Sequence, residues 1–350
     1  MGCTVRINVG KGYDVHIGAG LLDRAGQLIS DAVGKTRAAI IADSNVAPLY
    51  AQRLEKSLNA AGIETFTYIF PAGEENKRLT TLSNILEVLA ENGFSRTDTV
   101  VALGGGVAGD MAGFAAAVYL RGVRYVQVPT TLLAAVDSSV GGKTAVDLQA
   151  GKNLAGAFKQ PEVVICDTDT LKTLPNHEIA NGMAETIKYG VLFSEELFAQ
   201  LEKGRPDDMT DIIRQCVALK GYIVEIDETE KNERRLLNLG HTIGHAVEKC
   251  SNFGISHGHA VAAGMAIIAR AGEKMGITQK GTAARIEKIL LANDLPISAD
   301  YADSALAAAA MSDKKRAGGN ITLVLPEKIG SCILKTEPLN MLEEYVREGR

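Results

Sequence analysis

The sequence predicts two successive parts: an α/β part with a mostly parallel sheet over residues 1–175, and a mainly α-helical part over 176–350. Two observations carry this. Up to about residue 170, β-branched runs alternate with helix-like stretches: RAAIIAD (37–43), TFTYIF (65–70), DTVVALGGG (98–106), YVQVP (125–129) and EVVICD (162–167) are separated by segments such as LTTLSNILEVLAENG and AGFAAAVYL. Such alternation builds a parallel sheet with helices on both faces. From LPNHEIANGMAETIKYG onward the pattern turns helical, and Pro175 with Asn176 supplies a helix start. The N-terminal MGCTVRINVGKGYDVHIG alternates like a strand. Near the other end, NITLVLPEKIGSCILK (320–335) reads as two short strands around Pro326–Gly330, followed by a terminal helix.

Composition excludes several classes of function. With 46% hydrophobic and 23% charged residues the chain is an ordinary globular protein. A net charge of −5 argues against a nucleic-acid or anionic-membrane surface, which needs a basic excess. Five cysteines without a CxxC pair suit a reducing compartment, and Cys250, although near several histidines, reads as a buried apolar thiol. The N-terminal segment lacks the apolar core of a signal peptide, and no run approaches the ~18–20 apolar residues of a membrane span. A cytoplasmic protein is expected.

Four of the six histidines, His241, His245, His257 and His259, fall within nineteen residues. Imidazole is the commonest ligand for zinc-like ions, so the clustering points to a metal. His241 and His245 are four apart on a helical stretch and share one face; His257 and His259 open the next helical run. The zincin helix needs Glu directly after its first His, and Thr242 stands there instead. Glu185 and Lys188 are three apart on one helical face. They read either as a surface ion pair or, given the small residues around them, as a packed pair whose carboxylate completes a His₂Glu set. Arg234 and Asn238 precede His241 by seven and three residues, two turns and one turn back along the same face, where they could orient an anion at the metal.

Gly104, Gly106 and Gly109 satisfy G-x-G-x-x-G between a strand and a helix, where backbone N–H groups can cradle a pyrophosphate. Close packing is the alternative reading; the late position of the strand and Asp110 after the last glycine depart from the standard fingerprint. Asp43, Glu74 and Lys77 are placed to meet a nucleotide, or else sit in solvated loops. Segment 128–158 gathers Asp137, Lys143, Lys152 and Asn153 among glycines. Its GGKT fails the P-loop test because Asp137 stands five before Gly142. The lysines read as ligands for a phosphorylated or carboxylated substrate, or as a solvated turn.

Taken together, GGGVAGDMAGFAAAVYLRG, VPTTLLAAVDSSVGGKTAVD, GKNLAGAF, EIANGMAETIKYG, RLLNLGHTIGHAVE and SHGHAVAAGM resemble the 3-dehydroquinate synthases among the sugar-phosphate cyclases, in order from about residue 37 to 325. The resemblance implies a Rossmann-like NAD-binding domain and a helical metal-binding domain. It implies a divalent ion, Zn²⁺ or Co²⁺, held by Glu185, His241 and His257. NAD would meet Asp43, Glu74, Lys77, the turn of Gly104, Gly105, Gly106, Val107, Gly109 and Asp110, then Thr130, Thr131, Lys143 and Lys152, and Thr170, Leu171 and Thr173. A small heptulosonate phosphate would meet Asp137, Lys152, Asn153, Lys188, Lys220, Arg234, Asn238, His245 and one of Lys314 or Lys315. Arg121 would reach it from the second subunit of a homodimer. The family's HGEAV reads His257-Gly258-His259-Ala260-Val261 here, which leaves the three implied ligands intact and exchanges a carboxylate for an imidazole beside them. Glycerol dehydrogenases and cyclases of non-carboxylated sugar phosphates are the rival readings.

Overall fold

A computed structural model describes residues 2–314 and 319–350, the side chains of 312–314 excepted. The strands are β1 (Cys3–Ile7), β2 (Tyr13–Gly18), β3 (Arg37–Asp43), β4 (Glu64–Phe70), β5 (Thr99–Gly104), β6 (Arg124–Pro129), β7 (Lys143–Leu148), β8 (Gly151–Phe158), β9 (Val163–Asp167), β10 (Asn320–Lys328) and β11 (Ser331–Pro338). The first seven helices are α1 (Ala25–Val33), α2 (Ala47–Ala60), α3 (Leu79–Glu91), α4 (Gly106–Val118), α5 (Asn176–Phe193), α6 (Glu195–Leu201) and α7 (Thr210–Ile226). They are followed by α8 (His241–Cys250), α9 (His257–Lys274), α10 (Thr282–Leu291), α11 (Asp303–Lys314) and α12 (Met341–Glu348). None of the described helices is long and apolar enough to cross a membrane.

The first compact unit comprises Met1–Leu174 and Asp208–Glu228. Its seven-stranded sheet runs β1-β2-β9-β6-β5-β3-β4, antiparallel only at the β1–β2 edge. Period-two alternation sends Ala38, Ile40 and Ala42 of β3 into a core with Leu54 and Leu58 of α2, and Ala39 and Ile41 into another with Leu82 of α3 and Met111 of α4. Burial on both faces explains why these strands read as continuous apolar runs.

Two expectations change in this unit. Segment 128–158, whose lysines read as substrate ligands or as a solvated turn, contains a π-helical turn (Ala134–Ser138) and the antiparallel β7–β8 hairpin. Only Thr144 and Val146 of β7 are buried, so the hairpin lacked a strong apolar signal; its GGKT opens a strand and not a helix. Helix α7, expected in the helical half, belongs to the first unit: it packs on β1, and its Glu225 carboxylate accepts a hydrogen bond from the Asn8 backbone N–H at 2.6 Å.

The second unit comprises Pro175–Asp207 and Thr229–Arg350. Its helices carry one antiparallel hairpin, β10–β11. Helices α8 and α9 approach closely because glycines line the crossing. A Cβ at Gly264 would lie 2.1 Å from the Gly240 carbonyl oxygen, and one at Gly244 would lie 3.0 Å from Val261 Cα. Gly240 also has φ +76°, a left-handed turn that ends the preceding segment and starts α8 at His241. Gly264→Ala is therefore expected to lower the stability of metal-free protein by about 1–3 kcal/mol, the scale of overpacking, as read by thermal denaturation.

Candidate active site

Among the described residues the candidate side chains gather into two clusters, one in each unit. In the first, Asp43 ends β3 and one carboxylate oxygen accepts from the N–H groups of Asn45 and Val46 at 2.9 and 3.0 Å, holding the loop into α2. Its other oxygen lies where a Cβ at Gly104 would meet it at 3.3 Å, so Asp43 borders the glycine turn. Gly105 leaves room beside Thr131, and a Cβ at Gly109 would press on the Gln127 side-chain oxygen at 3.0 Å; the Gly109 carbonyl accepts from the Tyr125 hydroxyl at 2.6 Å. Close packing therefore accounts for Gly105 and Gly109, and the Gly104–Gly106 turn at the start of α4 is the candidate cradle. The buried Thr130 hydroxyl has no hydrogen-bond partner among the described residues, a donor available to a ligand.

Lys77 is almost fully buried and pairs with Asp110 at 2.6 Å and with the Asn153 side-chain oxygen at 2.5 Å. Glu74 lies 4.0 Å from Lys77 and 3.9 Å from Lys152. The solvated-loop reading therefore fails for Lys77, while Glu74 stays exposed at the edge of the cluster; within it burial outweighs the lysine and pushes Asp110 up to about 6. Asn153 has φ +55°, a left-handed conformation that asparagine tolerates better than most side chains. Lys220 on α7 contacts both the carboxylate and the backbone carbonyl of Asp137, at 2.8 and 2.7 Å. Thr170 and Thr173 gather around the Tyr50 hydroxyl, and Leu171 shares their turn. Lys143 begins β7 opposite Phe158, and Arg121 is exposed with φ +69°.

The second unit holds the imidazole cluster. Glu185 on α5 has no exposed surface. Its Oε1 lies 3.6 Å from His241 Nε2 and 3.4 Å from His257 Nε2, while Lys188 contacts Oε2. One ligand atom each from Glu185, His241 and His257 lies within 4.8 Å of the others, a donor set suited to a zinc-like ion. The surface-pair reading of Glu185 and Lys188 is excluded by their burial. His241 Nδ1 is 3.0 Å from the Leu239 carbonyl, which leaves Nε2 to ligate. Burial, then Lys188, lowers the His241 pKa to about 3, keeping its lone pair available. Burial opposes charge on His257 too, but Glu185 and Glu248 outweigh it and raise that ring to about 9. His245 stands beside both, its ring centroid 5.4 Å from that of His241 and 6.0 Å from that of His257.

Arg234 and Asn238 do not continue α8. They lie on a 3₁₀ turn (Glu233–Asn238), cut off by left-handed Gly240, so the expectation of one shared helical face fails. Arg234 is buried there, and Asn238 donates to Glu230 at 2.7 Å. Lys314 and Lys315 lie outside the residues whose side chains are described. Glu230 and Glu248 were not anticipated; Glu248, seven after His241, was legible as the same face of α8 two turns on.

Two solved structures of this fold hold a dinucleotide together with a metal. The chain is similar to 2-deoxy-scyllo-inosose synthase complexed with carbaglucose-6-phosphate, NAD⁺ and Co²⁺, at TM-score 0.88 and 26% identity, covering 99% of this chain and 100% of that one. It is equally similar to 2-epi-5-epi-valiolone synthase from Streptomyces hygroscopicus subsp. jinggangensis with NAD⁺ and Zn²⁺ bound, at TM-score 0.88 and 26% identity over 98% and 97% of the chains. Fold and site therefore define the class, that of the sugar-phosphate cyclases. Residues 67–181 match the 3-dehydroquinate synthase N-terminal family and residues 182–316 its C-terminal family. A 3-dehydroquinate synthase of Neisseria gonorrhoeae is 46% identical over 331 residues, 92% of each chain. The chain belongs to the 3-dehydroquinate synthase family.

His259 stands apart from the ligand set. Its Nδ1 lies 2.7 Å from the Ser256 hydroxyl, three residues back at the start of α9, and burial followed by His177 lowers its pKa. Ser256 with a polar partner at 259 has the spacing of a capping box, which glutamate also satisfies. His259→Glu is accordingly expected to keep the metal, with affinity shifted by no more than the ~10–100-fold of outer changes, as measured by chelator competition. Direct coordination of His259 in a metal-bound crystal structure would overturn this.

Proposed function

We propose that the chain converts 3-deoxy-D-arabino-heptulosonate 7-phosphate to 3-dehydroquinate and phosphate, as a carbon–oxygen lyase working with NAD and a divalent metal. The observation that carries the reading is the buried Glu185 carboxylate flanked by His241 and His257, in a chain of this family. When bound, NAD takes and returns a hydride while Zn²⁺ or Co²⁺ supplies Lewis acidity at a substrate oxygen.

The chain's own residues bind and orient. Glu185, His241 and His257 hold the ion, and Lys188 adds a buried ammonium beside them. Asp43, Thr130, Thr131 and the Gly104–Asp110 turn hold the dinucleotide, with the α4 N-terminus favouring its pyrophosphate. Lys152 and Asn153 bring a cation and an amide to the substrate phosphate and hydroxyls. Asp137 fixes the Lys220 ammonium through two contacts, so that cation is presented in one orientation. Arg234 offers the planar fork that a carboxylate prefers, which favours the heptulosonate over non-carboxylated sugar phosphates. His245 stands beside the ligand imidazoles as a proton carrier.

Exposed Arg121, on a left-handed turn, fits a role in completing the site of a second subunit in a homodimer. None of the five cysteines forms a disulfide, which suits a cytoplasmic location.

Three measurements test this reading. Many product molecules are expected per NAD without growth of NADH absorbance; one-for-one NADH accumulation would favour the dehydrogenase alternative. Chelation is expected to abolish phosphate release and Zn²⁺ or Co²⁺ to restore it, with His241→Ala losing both ion and activity and His177→Ala losing neither. Arg234→Lys keeps the charge and loses the fork, so kcat/KM for the carboxylated substrate should fall by the equivalent of ~1.5–3 kcal/mol. Preference of the unaltered protein for glucose 6-phosphate would refute the substrate assignment.

A further inference from the structure

One buried carboxylate beside the imidazoles has no role in this scheme. Glu248 lies on α8 with 2% of its surface exposed, where an ionised group is costly unless N–H donors or opposite charge face it. Its Oε1 lies 3.7 Å from Nδ1 of His257, whose Nε2 lies 3.4 Å from Glu185. The His257 ring therefore sits between two carboxylates.

This arrangement offers two ligand triads, Glu185–His241–His257 and His245–Glu248–His257. A neutral imidazole has one lone pair and one N–H, so His257 can serve only one of them at a time. The first has a fully buried carboxylate and a second imidazole, His241, whose Nδ1 faces the Leu239 carbonyl and whose Nε2 points to Glu185. The second depends on the exposed His245.

We propose that Glu248 is a positioning residue: it accepts the Nδ1–H of His257 and so commits Nε2 of that ring to the metal held with Glu185 and His241. The proposal rests on the ligand set assigned above. Each metal-facing imidazole then has its own orienting acceptor, a backbone carbonyl for His241 and a carboxylate for His257. The carboxylate also raises the basicity of the ring it orients. The His245–Glu248–His257 triad is then the outer shell of one metal site and not a second site.

The test is zinc content and affinity of the purified full chain, by metal analysis and chelator competition, beside thermal melts of the metal-free protein. The unaltered protein should bind one ion per chain. Glu248→Ala should weaken zinc binding by ~10–100-fold, and Glu248→Gln, which keeps an acceptor and loses the charge, by about 3–10-fold. The metal-free melting temperature of Glu248→Gln should match that of the unaltered protein, which a merely structural role would not predict alongside weaker binding. Wild-type zinc affinity in Glu248→Gln overturns the proposal, and that variant decides the matter if Glu248→Ala does not fold. A second zinc equivalent lost in either variant also overturns it, making Glu248 a ligand. His257→Ala separates the two claims: if it retains zinc, the ligand set itself is wrong; if it loses zinc while the Glu248 variants bind normally, only the orienting role is.

Discussion

Everything at the candidate metal centre depends on how closely α8 and α9 can approach. His241 starts one helix and His257 the other, and their rings come within 5.1 Å only because the crossing is lined by glycine. A side chain at Gly240, Gly244 or Gly264 would run into the facing backbone. The small residues that look like weak helix formers in the sequence are thus the condition for two helix starts to share one site. Their cost in helix propensity is offset by the packing they allow.

Charge is the second constraint. Glu185 is completely enclosed, and a carboxylate in that position demands compensation. Lys188 one turn along α5 and the His257 ring supply it, so part of the donor set also answers an electrostatic problem created by folding. In the first unit the same logic runs in reverse: the nearly buried Lys77 ammonium is met by Asp110 and by Asn153. Each cluster is a group of charges that the fold removes from water and then balances internally, the usual setting for perturbed acids and bases.

The division of labour between units follows from their architecture. A parallel sheet buried on both faces ends at its carboxyl edge in loops free to carry function, and Asp43 and Gly104 end β3 and β5 while Thr130 directly follows β6. Helices instead present side chains at fixed intervals, which suits ligands that must keep angstrom-level spacing. That is the arrangement of His241, His245 and Glu248 along α8.

The sequence by itself determined the strands β3, β5, β6 and β9, the helix start at Asn176, the pairing of His241 with His245, and the family, because each rests on periodicity or on an ordered run of motifs. It could not determine what touches what at long range. The β7–β8 hairpin was hidden because only Thr144 and Val146 of β7 are buried, and the attachment of α7 to the first unit depends on contacts with β1. The break at Gly240, which removes Arg234 and Asn238 from the helix of His241, needed a backbone angle that composition does not specify. Only the tertiary structure decided that Glu248 faces His257, since periodicity gives a residue's face but not the neighbour that face meets.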